Sequence, residues 1–257
     1  MTHWIRYLHD GEIGFGSLDG DAIRAHGGDL FGPGGPTGTI LRLADVDVLA
    51  PTRPTKIIAL WNNYRALAQK LGSPIPEEPL YLLKAPTSCA RPGAEIRRPR
   101  SYDGRIVFEG ELGIVIGRIC SNAGEADAQA SILGYVCVND ITAADLIGKD
   151  ASFPQWARAK SFDGFCPFGP VVATELDLAE ARIRTLLDGE ERQNYPLSDA
   201  VFQPARLVSL LSRDMTLLPG DLICMGTSLG VGAMRGPANR VEVVIDGVGT
   251  LSNILAG

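Results

Sequence analysis

Histidine is scarce in this chain of 257 residues: His3, His9 and His26 are the only ones, all near the N-terminus. Chemistry seated later in the chain therefore runs without a histidine base or ligand. Zinc, which favours His and Cys, is disfavoured there, whereas magnesium, manganese and calcium accept carboxylates. Cysteine is also thin. Cys89, Cys120, Cys137, Cys166 and Cys224 are odd in number, far apart and form no C-x-x-C pair. They read as reduced thiols of a cytoplasmic protein, most of them core filler. No apolar run approaches the ~18 to 20 residues that cross a bilayer, so no membrane partner is expected. The opening "MTHWIRYLHDGEIGFG" has polar or charged residues every few positions and reads as no signal peptide. A net charge of -6 and the lack of a basic stripe with interleaved aromatics disfavour nucleic acid. The basic run "RPGAEIRRPRSYDGR" sits among Pro and Gly and reads as a solvated loop.

What remains is globular. Hydrophobic residues make up 45% of the chain and charged ones 21%, enough for one substantial core or one core with a small appendage. Residues 1–50 carry short alternating segments broken by Gly, and read as a small antiparallel β domain. The Pro-rich "APTRPTK" marks the boundary, and residues 51–257 form the second, larger domain. There "IIALW", "LYLLKAP", "ILGYVCV", "GPVVATEL", "ARIRTLLDG" and "RVEVVIDGVGTL" read as strands. "NNYRALAQKLG" reads as a helix ending at Gly72, and "NAGEADAQAS" and "PARLVSLLSRDM" as further helices. Strands outnumber helices without a βαβ rhythm, which predicts a mixed α/β, predominantly β fold.

Four stretches carry candidate chemistry. In "IVFEGELGIVIG", read as one strand, Glu109 and Glu111 stand at i and i+2 and project from the same face. Two close carboxylates repel, and burying either unpaired is costly; a divalent cation removes both problems. Gly110 leaves the opposite face uncrowded on this reading, although an edge strand in water would also carry E-x-E. "GYVCVNDITAADL" is an apolar strand ending at Asn139-Asp140 before a helix start, so Asp140 is either an N-cap or a third carboxylate. Lys160, in "RAKSFDGFCPFGP", sits among small, aromatic and Pro residues that suggest an ordered loop, where it could neutralise a substrate carboxylate or a developing enolate. "GDLICMGTSLGVG" lacks the G-K-[ST] of a phosphate loop and reads as a backbone-rich loop, with Thr227 a substrate donor. Tyr102, Arg105, Arg158 and Gln193 are further candidate contacts to a carboxylate or carbonyl.

These stretches, with "PTKIIALWNNYRALAQKLG" and "DGVGTLSNIL", occur in an order and spacing that resemble the fumarylacetoacetate hydrolase superfamily, from about Pro51 to Asn253. The resemblance implies a β-roll catalytic domain with a smaller N-terminal domain, in a homodimer. It implies Mg2+ or Mn2+ on Glu109, Glu111 and Asp140, with Lys160 catalytic. It also places Asn63, Tyr64 and Thr227 on a small keto or enol acid, where Gln193 joins them. The hydrolase pattern N-Y-x-x-H-x-x-E is broken here: Leu67 stands for its His and Lys70 for its Glu, while Ala144 and Ile147 replace a common Arg and Gln. Leucine carries no transferable proton, so water activation by the usual route is lost. The resemblance therefore points to the decarboxylase/isomerase branch of aromatic-compound catabolism, typified by 5-oxopent-3-ene-1,2,5-tricarboxylate decarboxylase and 2-hydroxyhepta-2,4-diene-1,7-dioate isomerase. Alternatives are a C–C hydrolase using another base, such as Lys70 or Asp163, and an inactive family member.

Overall fold

The computed structural model describes residues 1–257. Twenty strands outnumber four α-helices, the mixed and mostly β fold that the segment pattern predicts. Its frame is a long sheet running through Gly34–Arg42, Ala22–Gly28, Glu12–Asp19, His3–His9, Cys166–Ala173, Ile132–Asn139, Gly110–Ile116, Leu222–Cys224, Ile57–Trp61 and Leu80–Lys84. The N-terminal strands form an antiparallel meander that continues this sheet. His3, Trp4 and Ile5 pair with Ala173, Val172 and Val171, and Ile5, Tyr7, Ile23 and Val171 close a small core beneath the join.

A second sheet, Glu190–Pro196, Arg182–Leu187, Ala238–Ile245, Gly249–Ala256 and Glu95–Arg97, stacks on the first. Ile183, Val243 and Leu251 of the second share one core with Leu112, Ile114 and Cys137 of the first. Helix Pro204–Asp214 adds Leu207, Val208 and Leu211, which recur on one helical face. The helix after Asn63-Tyr64 runs Arg65–Leu71 and stops at Gly72, whose φ of 63° is the left-handed cap expected there.

The Pro-rich stretch is fastened by Asp221, a fully buried carboxylate. It accepts the Thr55 N–H (3.0 Å) and hydroxyl (2.7 Å), the Lys56 N–H (3.1 Å) and the Leu218 N–H (2.7 Å), and pairs with Lys56 Nζ at 2.5 Å. One side chain thus holds the Pro-rich stretch against the turn at Pro219-Gly220.

Three local expectations are corrected. "IVFEGELGIVIG" is two strands, Ile106–Phe108 in a small three-stranded sheet and Gly110–Ile116 in the long one, with the chain breaking at Glu109. Beyond Asp140 the chain makes a short strand, Thr142–Ala143, and a single 3-10 turn, Ala144–Leu146, rather than an α-helix. Lys160 ends the short helix Trp156–Lys160 instead of lying in a loop.

Candidate metal centre and active site

The break at Glu109 assembles the acid cluster. Asn139 ends its strand, and its Oδ1 accepts the Glu109 N–H at 3.1 Å. The next residue, Asp140, donates its N–H to the Glu109 carbonyl at 2.8 Å. These two bonds stitch the strand break to the strand end and bring their acids together. Oxygens of Glu109, Glu111 and Asp140 lie within 4.8 Å of one another. Glu111 and Asp140 are fully buried, while the Glu109 side chain keeps 17% exposure, the cluster's window to solvent.

Gly110 between the glutamates does not face open space. A Cβ there would stand 2.0 Å from Thr185 Oγ1, so only glycine permits the packing. The expected free face is filled by the second sheet.

Two buried ammonium groups face the acids. Lys160 Nζ donates to Glu109 Oε2 and Asp140 Oδ2, both at 2.6 Å, and to Thr142 Oγ1 at 2.7 Å. Lys84 Nζ donates to Asp140 Oδ1 and to the Phe165 carbonyl. Burial alone would pull both lysines toward neutrality. The charge of Asp140 outweighs it for Lys84, and Asp140, Glu109 and Glu111 outweigh it for Lys160, so both pKa values are raised. Asp140 is likewise opposed by burial but held below the usual carboxylate range by the two lysines.

Burial raises the Glu109 carboxyl against the pull of Lys160, and Glu111 departs further. Its Oε2 accepts the Gly226 N–H at 2.8 Å, but its buried Oε1 has no partner. Burial first, then the charge of Asp140, pushes its carboxyl well above the usual range. A buried carboxylate oxygen without a donor is costly, and native proteins seldom leave one unsatisfied. Here it stands beside two more carboxylates, a donor set that fits a hard divalent cation.

The other expected residues are distributed around this centre. Asn63 is buried and ties two loops, donating to the Met225 carbonyl and accepting the Phe202 N–H, both at 2.9 Å. Tyr64 is fully buried, edge-on to Tyr195 with ring centroids 4.9 Å apart, and its hydroxyl has no partner. Gln193 is buried, and its Nε2 donates to Thr227 Oγ1 at 2.8 Å; Thr227 is half-buried. Tyr102 and Arg105 belong to a different tie: the Arg105 N–H and Nε both donate to Asp145 (2.8 and 3.0 Å), which also accepts the Tyr102 hydroxyl. Arg158 lines a separate cavity of about 420 Å3 with Trp61, Leu82, Phe153 and Trp156. Leu67 packs against the main core, and Lys70 and Asp163 are exposed.

Lys84 and Tyr195 are the residues that sequence reasoning missed. Lys84 had a readable signal. In "LYLLKAP", Leu82 and Lys84 are at i and i+2, so a lysine shares the inward face of an apolar strand. Tyr195 had none, because its partner is the backbone of Gly110 on another sheet.

The fumarylacetoacetate (FAA) hydrolase C-terminal family model matches residues 56–256, and the Rv2993c-like N-terminal model matches residues 2–51. The crystal structure of 5-carboxymethyl-2-hydroxymuconate delta-isomerase from Mycobacterium smegmatis superposes with a TM-score of 0.90 at 38% identity, covering 99% of both chains. That of 2-hydroxyhepta-2,4-diene-1,7-dioate isomerase from Mycobacterium marinum gives 0.89 at 35%, covering 100% of this chain and 98% of the other. Oxaloacetate tautomerase YisK from Bacillus subtilis is 34% identical over 253 residues, 91% of this chain and 83% of that protein. These three proteins are named for two isomerisations and a tautomerisation, whereas fumarylacetoacetate hydrolase from Exiguobacterium antarcticum superposes with a TM-score of 0.87 at 28% identity, covering 100% of both chains. With its six motifs in order, its acid cluster in place and a family model spanning residues 56–256, this chain belongs to the fumarylacetoacetate hydrolase family.

Proposed function

We propose that this chain is a Mg2+- or Mn2+-dependent tautomerase or decarboxylase of 2-oxo or 2-hydroxy-dienoic dicarboxylic acids. The observation that carries the reading is the cluster itself. Three carboxylates, one with an unpartnered oxygen, are packed with two protonated lysines, and no water-activating base is among them. A divalent cation held by Glu109, Glu111 and Asp140 would supply Lewis-acid polarisation of a 2-oxo group.

The chain's own residues supply the rest. With all three carboxyls ionised, as a bound divalent cation would hold them, three negative charges, two ammonium groups and the cation sum to one net positive charge, suited to an acid anion. Lys160 takes the catalytic role: its ammonium, drawn to Glu109 and Asp140, reaches the edge of the cluster where solvent enters at Glu109. There it donates a hydrogen bond to the oxygen that gains negative charge, either as CO2 leaves the neighbouring carbon or as that carbon passes its proton to solvent entering at Glu109. Lys84 holds Asp140 ionised and oriented. Among the four residues expected at the substrate, Thr227 is the one with exposed surface, so its hydroxyl makes the direct contact; Asn63, Tyr64 and Gln193 form the buried wall behind it. Tautomerisation and decarboxylation need charge stabilisation and one mobile proton, which this set provides. Hydrolysis needs a base for water, and Leu67 is none.

The test is an assay of the purified protein with Mg2+ or Mn2+ against three acids: the enol of oxaloacetate, a β-keto acid and an acylpyruvate. Tautomerisation or decarboxylation above the metal-only background is expected. Acylpyruvate cleavage at enzymatic rates with neither of the other activities would overturn the reading.

A further inference from the structure

The peptide between the two glutamates is held on both of its polar groups. Gly110 donates its N–H to Gln193 Oε1 at 3.0 Å, and its carbonyl accepts the Tyr195 hydroxyl at 2.6 Å and Thr227 Oγ1 at 3.1 Å. Gln193 and Tyr195 lie two residues apart on the strand Glu190–Pro196 and so share a face. Thr185, paired with Gln193 across the second sheet, fills the space where a Gly110 Cβ would go. All three side chains are buried.

This arrangement answers a mechanical problem. The approach of Thr185 demands glycine at position 110, and glycine has the widest backbone freedom of any residue. The regular strand also begins only at Gly110, so Glu109 lies outside the ladder. The Asn139 and Asp140 bonds anchor Glu109 to the strand end, and a free hinge at Gly110 would still let the peptide between the two carboxylates rotate. Hydrogen bonds to both the amide and the carbonyl of the hinge remove that freedom.

We propose that Gln193 and Tyr195 are positioning residues of the metal centre: by clamping the Gly110 backbone they fix the spacing of Glu109 and Glu111 and thereby set divalent-cation affinity. This rests on the metal assignment above. The two side chains reach the cation only through the backbone between its ligands, so Tyr195→Phe and Gln193→Leu remove no carboxylate.

Mn2+ is titrated into the full-length protein and followed by electron paramagnetic resonance, with melting temperature recorded in parallel. The set comprises wild type, Tyr195→Phe, Gln193→Leu, Glu111→Gln and Ile23→Ala, the last a destabilising change in the separate N-terminal core. Each clamp variant is expected to bind Mn2+ about tenfold more weakly and to show a broadened spectrum of the bound ion. Ile23→Ala is expected to lower the melting temperature while keeping wild-type affinity. If both clamp variants bind like wild type while Glu111→Gln loses binding, the clamp is wrong and the metal centre stands. Equal weakening by Ile23→Ala would make the effect one of general stability and also overturn the clamp. Wild-type protein that binds no Mn2+, or Glu111→Gln that binds it fully, would remove the metal centre and the clamp together.

Discussion

Lys84 and Lys160 share a single carboxylate: one ammonium takes Asp140 Oδ1 and the other takes Oδ2. They reach it from different parts of the chain, one from the edge strand Leu80–Lys84 and the other from the end of helix Trp156–Lys160. Asp140 is thereby ionised and fixed, whereas Glu111 a few ångströms away is left with a bare oxygen. The cluster is asymmetric by construction, and its chemistry follows from that asymmetry.

Lys84→Met is expected to destabilise the protein by about 3 kcal/mol or more, because removing one partner of a fully buried pair strands the remaining charge. Denaturant unfolding of Lys84→Met, Asp140→Asn and the double variant measures it. The double variant should lose less than the sum of the singles. Strict additivity would mean that the pair carries no coupling.

Metal removal should divide the effect of Glu111→Gln into two signs. In chelator-treated protein the variant is expected to melt at or above the wild-type temperature, since an amide is cheaper to bury than a carboxylate with a bare oxygen. With Mn2+ at about a hundred times its dissociation constant, wild type should gain about 2.7 kcal/mol and the variant almost nothing. Equal responses of the two proteins to Mn2+ would show that Glu111 is no ligand.

The acids themselves were legible because each is anomalous where it stands: E-x-E in an apolar run, and Asp at the end of another. Their geometry was not. A period-two strand puts Glu109 and Glu111 on one face, but the observed convergence comes from a break that Asn139 and Asp140 stabilise from another strand. Gly110 was read as open space because the contact that demands it, with Thr185, is some seventy-five positions away in sequence. The helix cap at Gly72 and the apolar face of Pro204–Asp214 are local properties and were readable in full. Tyr102 and Arg105 looked like anion contacts because nothing nearby in sequence shows that Asp145 already occupies them.

That tie gives a pH prediction. Hydrogen bonds from the Arg105 backbone N–H and then its side chain hold the Asp145 carboxyl below the usual carboxylate range. A depressed acid contributes stability above its unfolded pKa, about 3.9, and loses it as pH falls through the lower folded value. Asp145→Asn should therefore melt below wild type at neutral pH, and the gap should close in acid below about pH 4. A gap that persists unchanged at low pH would assign the effect to something other than the ionised carboxyl.

Leu67 gives the sharpest functional prediction. It lies on helix Arg65–Leu71 at i to i+3 from Lys70, so the two side chains neighbour each other on one face, as the hydrolase His and Glu would. Leu67 is packed against the main core, and its replacement by histidine should cost about 1–3 kcal/mol of stability through lost apolar burial and a polar ring in its place. The double variant Leu67→His with Lys70→Glu restores the His and Glu of the hydrolase pattern in a chain whose acid cluster is intact. It is expected to cleave acylpyruvates measurably above the wild-type background, while wild type leaves them whole. Cleavage by wild type at the same rate would place the water base elsewhere and return the chain to the hydrolase branch.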